Sequence, residues 1–158
     1  MLLLRLHQMV SDRLDFPEGG PVRDVSAHPD IRYLYLAADV LVTDYSSTMF
    51  DFAVTGKPIL NFTYDLDYFQ NELRGFYFDL AEAAPGPLLS TSDEVLAAIA
   101  ELGRQPWAPT DRYTRFRETF CSLEDGHATD RVLDLFFPAT RPQGGSATPR
   151  TTPTQPRR

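Results

Sequence analysis

Cysteine is almost missing from this sequence: Cys121 stands alone. That excludes an internal disulfide and any zinc site built on cysteines, and it fits a reducing compartment. Next to Phe120 the thiol reads as part of the core. Long apolar runs are missing too, since Leu2-Leu3-Leu4 is interrupted at Arg5 and His7. This is too short for a membrane span or for the apolar stretch of a signal peptide, so the segment reads as a buried strand. Basic residues are few: 15 Lys and Arg face 22 Asp and Glu, for a formal net charge of −7. Four of the arginines, Arg141, Arg150, Arg157 and Arg158, fall in an acid-free tail, which leaves the rest more acidic still. A chain of this charge lacks the basic face that displaces counterions from nucleic acid, so no nucleic-acid partner is expected. Any phosphate it takes must be held by local groups. No internal repeat is present.

What is there suits one folded domain. The chain has 158 residues, 42% of them apolar, with 11 Phe and 7 Tyr interspersed among charges; that is enough apolar surface for a single core and short for two. It opens directly on Leu2, Leu3, Leu4 and Leu6 with no turn or cap before them, as if continuing from a longer polypeptide. Val22 to Ser26 is a weaker strand, and Pro29-Asp30 starts a short helix carrying Ile31, Leu34, Tyr35 and Ala38. Val40-Leu41-Val42 is a compact strand ending at Asp44. Ser46, Ser47 and Thr48 then open a helix through Phe50, Phe52, Ala53 and Val54, stopped by Gly56, and Lys57-Pro58 leads into a strand over Ile59 to Phe62. Strand, helix and strand at this spacing predict a βαβ unit with parallel strands.

Asp65 to Asp79 is aromatic and irregular, and Pro85-Gly86-Pro87 is a break. Ser92 is placed to cap a helix over Asp93 to Leu102 with Val95, Leu96, Ile99 and Leu102 on one side. Helical patterns over Asp111 to Cys121 and, after Asp125-Gly126, up to Phe137 complete the folded part. Residues 138–158 turn to Pro, Gly, Thr, Ser, Gln and Arg, a composition that cannot repay the entropy of ordering, and a disordered tail is expected.

The residues with most chemical content are Asp44-Tyr45-Ser46-Ser47-Thr48, which join the carboxyl end of a parallel strand to the start of a helix. Parallel α/β sheets bind ligands there. Unpaired N–H groups of a first helical turn, with three hydroxyls, cradle a phosphate or diphosphate without help from net charge. Ser, Thr and Asp also cap helices routinely, and that reading competes with the first. His7, at the end of the opening strand, could pair with a diphosphate oxygen or protonate a leaving phosphate; a structural histidine is the alternative. Arg74-Gly75 offers a planar cation beside a backbone that can approach a ligand closely, or an ordinary surface arginine paired with Asp67 or Glu72. Asp65 and Asp67 lack a third ligand, and no metal is expected at them. His28 and His127 carry less.

Taken in order, Arg5-Leu6-His7, the run from Ala38 to Ser47, Phe50-Asp51-Phe52, Lys57-Pro58, Arg74-Gly75-Phe76-Tyr77, Pro85-Gly86-Pro87 and Asp125-Gly126 with Arg131 resemble the C-terminal domain of the CDP-glycerol:poly(glycerophosphate) glycerophosphotransferases. The resemblance covers about residues 2–137. It implies an α/β, Rossmann-like parallel-sheet domain over residues 1–137, the C-terminal half of a GT-B-type transferase, which grips CDP-glycerol. It also implies diphosphate binding by Ser46, Ser47 and Thr48, a catalytic contact from His7, and a donor cleft that includes Asp44, Arg74, Asp125, Gly126 and Arg131. The reaction implied is transfer of glycerol phosphate to a growing teichoic-acid-type polymer with release of CMP, at the cytoplasmic face of the cell membrane, with no cofactor and no metal. The family's N-terminal domain, which supplies the base for the acceptor hydroxyl, has no counterpart in these residues. His7-Gln8 also stands where many members have His followed by Pro or Tyr, and Thr48-Met49 is a mild variation. A nucleotide-binding module without catalysis, and a GT-B transferase for another CDP-alditol or a nucleotide sugar, remain open beside the main reading.

Overall fold

The computed structural model describes residues 1–6, 15–73 and 75–138. His7, Arg74 and residues 139–158, where a catalytic contact, a cleft arginine and a disordered tail are expected, lie outside the described residues. The chain forms two compact units, Met1–Ser122 and Leu123–Arg158.

The first unit begins with β1 (Leu2–Leu4), paired in parallel with β2 (Val22–Asp24). Helix α1 (Ile31–Ala37) follows, its N-cap Asp30 accepting from Arg32 N at 3.0 Å. Arg32 also grips both Asp30 oxygens, and this guanidinium holds the carboxyl down to about 2. Next come β3 (Leu41–Thr43), α2 (Thr48–Ala53) and β4 (Ile59–Phe62), the predicted βαβ unit, with β3 parallel to β4. Gly56 ends the turn after α2 at φ +74°, a conformation that residues with a Cβ rarely adopt.

The aromatic stretch after β4 is more ordered than its composition suggests: α3 (Leu66–Tyr68) runs on through π-helical residues Phe69–Leu73, and α4 (Leu80–Ala83) is capped by Asp79. Pro85-Gly86-Pro87 does more than break the chain. It delivers β5 (Leu88–Leu89), a third parallel strand beside β4, so the sheet order is β3-β4-β5. A Cβ on Gly86 would lie 1.8 Å from the Ile59 carbonyl oxygen, so no larger residue fits this approach to β4 without a backbone shift. Helix α5 (Ser92–Leu102) is capped by Thr91 rather than Ser92: Thr91 Oγ1 accepts from Glu94 N at 3.3 Å while Glu94 accepts from Thr91 N at 3.1 Å. This reciprocal box satisfies two donors that a helix start leaves open. Helix α6 (Asp111–Phe120) completes the unit.

The core gathers Tyr35, Met49, Phe52, Ala53, Ile59, Leu80, Ala84, Tyr113 and Phe116. Three of its elements meet at Gly56-Lys57. Lys57 Nζ donates to the carbonyls of Tyr35 (3.3 Å), Leu36 (2.7 Å) and Ala38 (2.7 Å), which occupies all three ammonium donors at the C-terminal end of α1. Lys57 O accepts from the Tyr113 hydroxyl at 2.7 Å, and Gly56 O accepts from Trp107 Nε1 at 2.9 Å. A few apolar positions depart from expectation. Leu2 is 53% exposed where a buried strand is predicted, because among the described residues β1 has a strand neighbour on one side only. On α5, Leu96 and Ile99 are exposed while Val95 and Leu102 are half-buried.

In the second unit, α7 (Ala128–Phe136) begins after Gly126, at φ +83°.

Two outcomes follow from the Gly56-Lys57 junction. Lys57→Met leaves the α1 carbonyls without their charged donor and should lower unfolding stability by about 2 kcal/mol, read from urea midpoints. Burial pushes the Tyr113 phenol up to about 12, against an ordinary value near 10. Between those values the unfolded chain releases a proton that the folded chain keeps, so stability falls as pH rises through that window. Tyr113→Phe should flatten this alkaline limb while costing about 1 kcal/mol near neutrality, which urea melts at about pH 8 and pH 11 would test.

Candidate functional site

Strand β3 ends at Thr43, and the next four residues turn the chain into α2 through a chain of short side-chain bonds. Asp44 Oδ1 accepts from Ser46 N at 3.0 Å, and Ser46 Oγ accepts from Thr48 N at 3.3 Å. Asp and Ser form such two-residue turns because their side-chain oxygens reach the backbone N–H two positions on. Thr43 Oγ1 and Thr48 Oγ1 share a hydrogen bond of 3.3 Å across the turn. Capping is therefore the work of Asp44 and Ser46. Ser47 occupies the N-cap position in helical conformation, makes no side-chain capping bond, and is exposed.

Tyr45 fixes the loop from the other side. Its hydroxyl donates to Asp65 Oδ1 at 2.7 Å and its ring stacks on Phe69 at 4.0 Å and 25°. Burial, reinforced by the bond to Asp65, pushes the phenol well above its usual range and keeps it neutral. Asp65 thus serves as a tyrosine partner, a role that the sequence leaves unsignalled because twenty residues separate the pair.

Thr43, Asp44, Ser46 and Thr48 line a groove of about 1360 Å³. Arg5, Asp24 and Ser26 line it too. Arg5 Nη1 donates to the carbonyls of His28 (2.9 Å) and Val25 (3.4 Å), and Leu6 N donates to Ser26 Oγ at 2.9 Å. The carboxyl ends of β1, β2 and β3 thus border one concavity, as the parallel-strand argument expects. Asn61, in register with Thr43, is fully buried and directs Nδ2 at Met49 Sδ (3.9 Å), while its Oδ1 has no hydrogen-bond partner among the described residues. A lone Asn in a strand gave no sequence signal of this. Among the described residues no three His, Cys, Asp or Glu side chains group as metal ligands.

The remaining candidates form a separate cluster in the second unit. Asp125 holds Arg131 Nη1 with both oxygens, at 2.8 and 2.9 Å, and accepts from His127 N at 2.9 Å. The Arg131 guanidinium keeps the Asp125 carboxyl below its usual range. Arg131 also donates to Leu123 O. Asp125, Gly126 and Arg131 are thus brought together as one ion-paired turn at the start of α7.

The sequence profile of the CDP-glycerol:poly(glycerophosphate) glycerophosphotransferases matches residues 1–138. The teichoic acid poly(glycerol phosphate) polymerase of Bacillus subtilis is 39% identical over 140 residues, covering 88% of this chain and 19% of that protein. The teichoic acid glycerol-phosphate transferase of Staphylococcus aureus is 42% identical over 137 residues, covering 87% and 35%. A teichoic acid poly(ribitol-phosphate) polymerase of Bacillus spizizenii is 34% identical over 141 residues, covering 87% and 22%. The chain therefore spans between about a fifth and about a third of these relatives. Among solved structures, the wall teichoic acid polymerase TagF superposes with a TM-score of 0.73 at 34% identity, over 84% of this chain and 33% of that one. A His-to-Asn variant of TagF soaked with CDPG gives the same score and coverage. Taken with the mixed α/β architecture and its parallel sheets, these matches show that the chain belongs to the CDP-glycerol:poly(glycerophosphate) glycerophosphotransferase family.

Proposed function

We propose that this chain is the donor-binding part of a glycerophosphotransferase, a Rossmann-like C-terminal domain of GT-B type that holds CDP-glycerol by its diphosphate. The observation that carries the reading is the hydroxyl of Ser47, exposed at the carboxyl end of a parallel strand and not engaged in capping the helix behind it. Ser46 and Thr48 stand beside it with their hydroxyls in the same turn. Helix α2 has only six residues, so its dipole is small, and hydroxyls and loop N–H groups supply the contacts.

In the proposed reaction the terminal hydroxyl of a polyol-phosphate polymer attacks the β-phosphorus of CDP-glycerol. A new P–O bond forms, the bond to the α-phosphate oxygen breaks, and CMP leaves with the electron pair. Phosphoryl transfer of this kind rests on positioning and on neutralising charge. His7 is assigned to the leaving diphosphate, and Arg74 and Asp44 to the surrounding cleft. The base for the acceptor hydroxyl comes from an N-terminal domain outside these residues, and the complete enzyme works at the cytoplasmic face of the membrane. A ribitol donor is the second reading, favoured by the similarity to a poly(ribitol-phosphate) polymerase.

Calorimetric titration with CDP-glycerol, CDP-ribitol and UDP-glucose decides between donors, and CDP-glycerol should bind most tightly. Replacing both Ser46 and Ser47 by Ala should weaken that binding at least tenfold, since each hydrogen bond to a charged group contributes about 1.5–3 kcal/mol; unchanged affinity would sink the diphosphate assignment. With acceptor present, the 158-residue chain alone should release no CMP above background. Sustained release would show that no second domain is needed.

A further inference from the structure

Aspartate at the start of a helix ordinarily spends its carboxylate on the first free N–H groups. Asp30 does so for α1, accepting from Arg32 N at 3.0 Å, and Asp79 does so for α4, accepting from Ala81 N at 2.8 Å. Asp65 holds the same position in α3 and makes no capping bond. Its Oδ1 accepts instead from the hydroxyl of Tyr45 at 2.7 Å, twenty residues back in the chain. The Tyr45 ring is meanwhile packed on Phe69 and, at 5.7 Å, on Phe76, and these two rings lie 5.1 Å from each other. Gly75, at φ +67°, turns the chain between them, and its N–H donates to Phe69 O at 3.0 Å. A phenylalanine ring would fill the same space; the hydroxyl adds an attachment with a direction.

Tyr45 stands between the residue that shapes the turn and the two that present their hydroxyls: Asp44 precedes it, and Ser46 and Ser47 follow. The bond from Ser46 N to Asp44 spans Tyr45 but lies exposed, where water competes for both groups. The bond from Tyr45 to Asp65 is half-buried and ties the middle of the loop to a separate segment. We propose that Tyr45 and Asp65 are positioning residues for the donor diphosphate: their hydrogen bond sets where the hydroxyls of Ser46 and Ser47 stand, and neither residue touches the ligand. This inference rests on the donor-binding reading. Hydrogen bonds weaken steeply with lost distance and angle, so a loop released from Asp65 keeps its serines and loses their aim. The bond itself carries the effect, rather than the tyrosine ring or the aspartate charge, and variants that keep one of these at a time separate them.

Calorimetric titration of the full chain with CDP-glycerol tests this, with a urea melt of every variant to confirm that it is folded. Tyr45→Phe keeps the ring and should weaken binding about tenfold, the affinity that one hydrogen bond to a charged group contributes. Asp65→Asn keeps an acceptor oxygen without the charge and should hold affinity within about threefold of the unsubstituted chain, whereas Asp65→Ala should bind as weakly as Tyr45→Phe. In a chain that already carries Ser46→Ala and Ser47→Ala, Tyr45→Phe should add less than about twofold, because a residue that acts through others has no separate effect once they are gone. Full additivity in that background overturns the proposal, and so does an Asp65→Asn chain that binds as weakly as Tyr45→Phe. If the paired serine variant loses affinity while Tyr45→Phe keeps it, the donor-binding reading stands and the positioning role is overturned. If the paired serine variant keeps full affinity, the reading fails and takes this inference with it.

Discussion

The Lys57 ammonium is the constraint around which the first unit is assembled. Its three bonds to the carbonyls that end α1 span 19 to 22 residues of sequence. The same residue offers its own carbonyl to Tyr113, and its neighbour Gly56 offers one to Trp107. A helix end, the turn before the central strand and the helix closing the unit are therefore coupled through one dipeptide. Pro58 adds direction, because the residue before a proline is held extended and so points the chain into β4. With β4 fixed, its neighbours follow: β3 on one side, and β5 on the other through the close approach of Gly86.

That frame determines what the hydroxyl loop can do. Thr43 is held in register by the pairing of β3 with β4, and Thr48 is held by Thr43. Between them, Asp44 and Ser46 use their side chains on backbone N–H groups, and Tyr45 is drawn away toward Asp65 and Phe69. One hydroxyl of the series, that of Ser47, is left over from capping. Division of labour along five consecutive residues thus separates the groups that build the turn from the group it presents.

Much of this was legible in the sequence because it rests on local signals. The βαβ unit over residues 41–62 was marked by a β-branched run, a hydroxyl-rich start, a glycine stop and Lys57-Pro58. Short-range preference failed where tertiary contacts decide. Leu88-Leu89 is too short to announce a strand, yet becomes β5 because Gly86 admits the chain against Ile59. The aromatic segment looked irregular because its helical turns are stabilised by ring packing with Tyr45 rather than by a 3.6-residue pattern. Thr91 took the cap from Ser92 because Glu94 lies three residues after it, as the reciprocal box requires. In the site, the loop itself was readable, but which serine caps was not: that depends on backbone angles at Ser47. The Tyr45–Asp65 bond and the buried Asn61 are long-range and left no mark in spacing. The opening strand was read as buried because Leu2-Leu3-Leu4 is apolar, whereas the described fold gives it a neighbour on one side only.

The anchoring of Tyr45 bears on how fast a ligand comes and goes. A loop that folding has already ordered asks no further ordering of an incoming anion, so the ordering entropy is spent before the encounter and not during it. Capture at such a loop proceeds without a slow rearrangement step, and differences in affinity between ligands then lie in their residence times. By tying one aromatic side chain into the packing behind the turn, the fold orders the loop in advance, so that the proposed diphosphate would be discriminated by how long it stays.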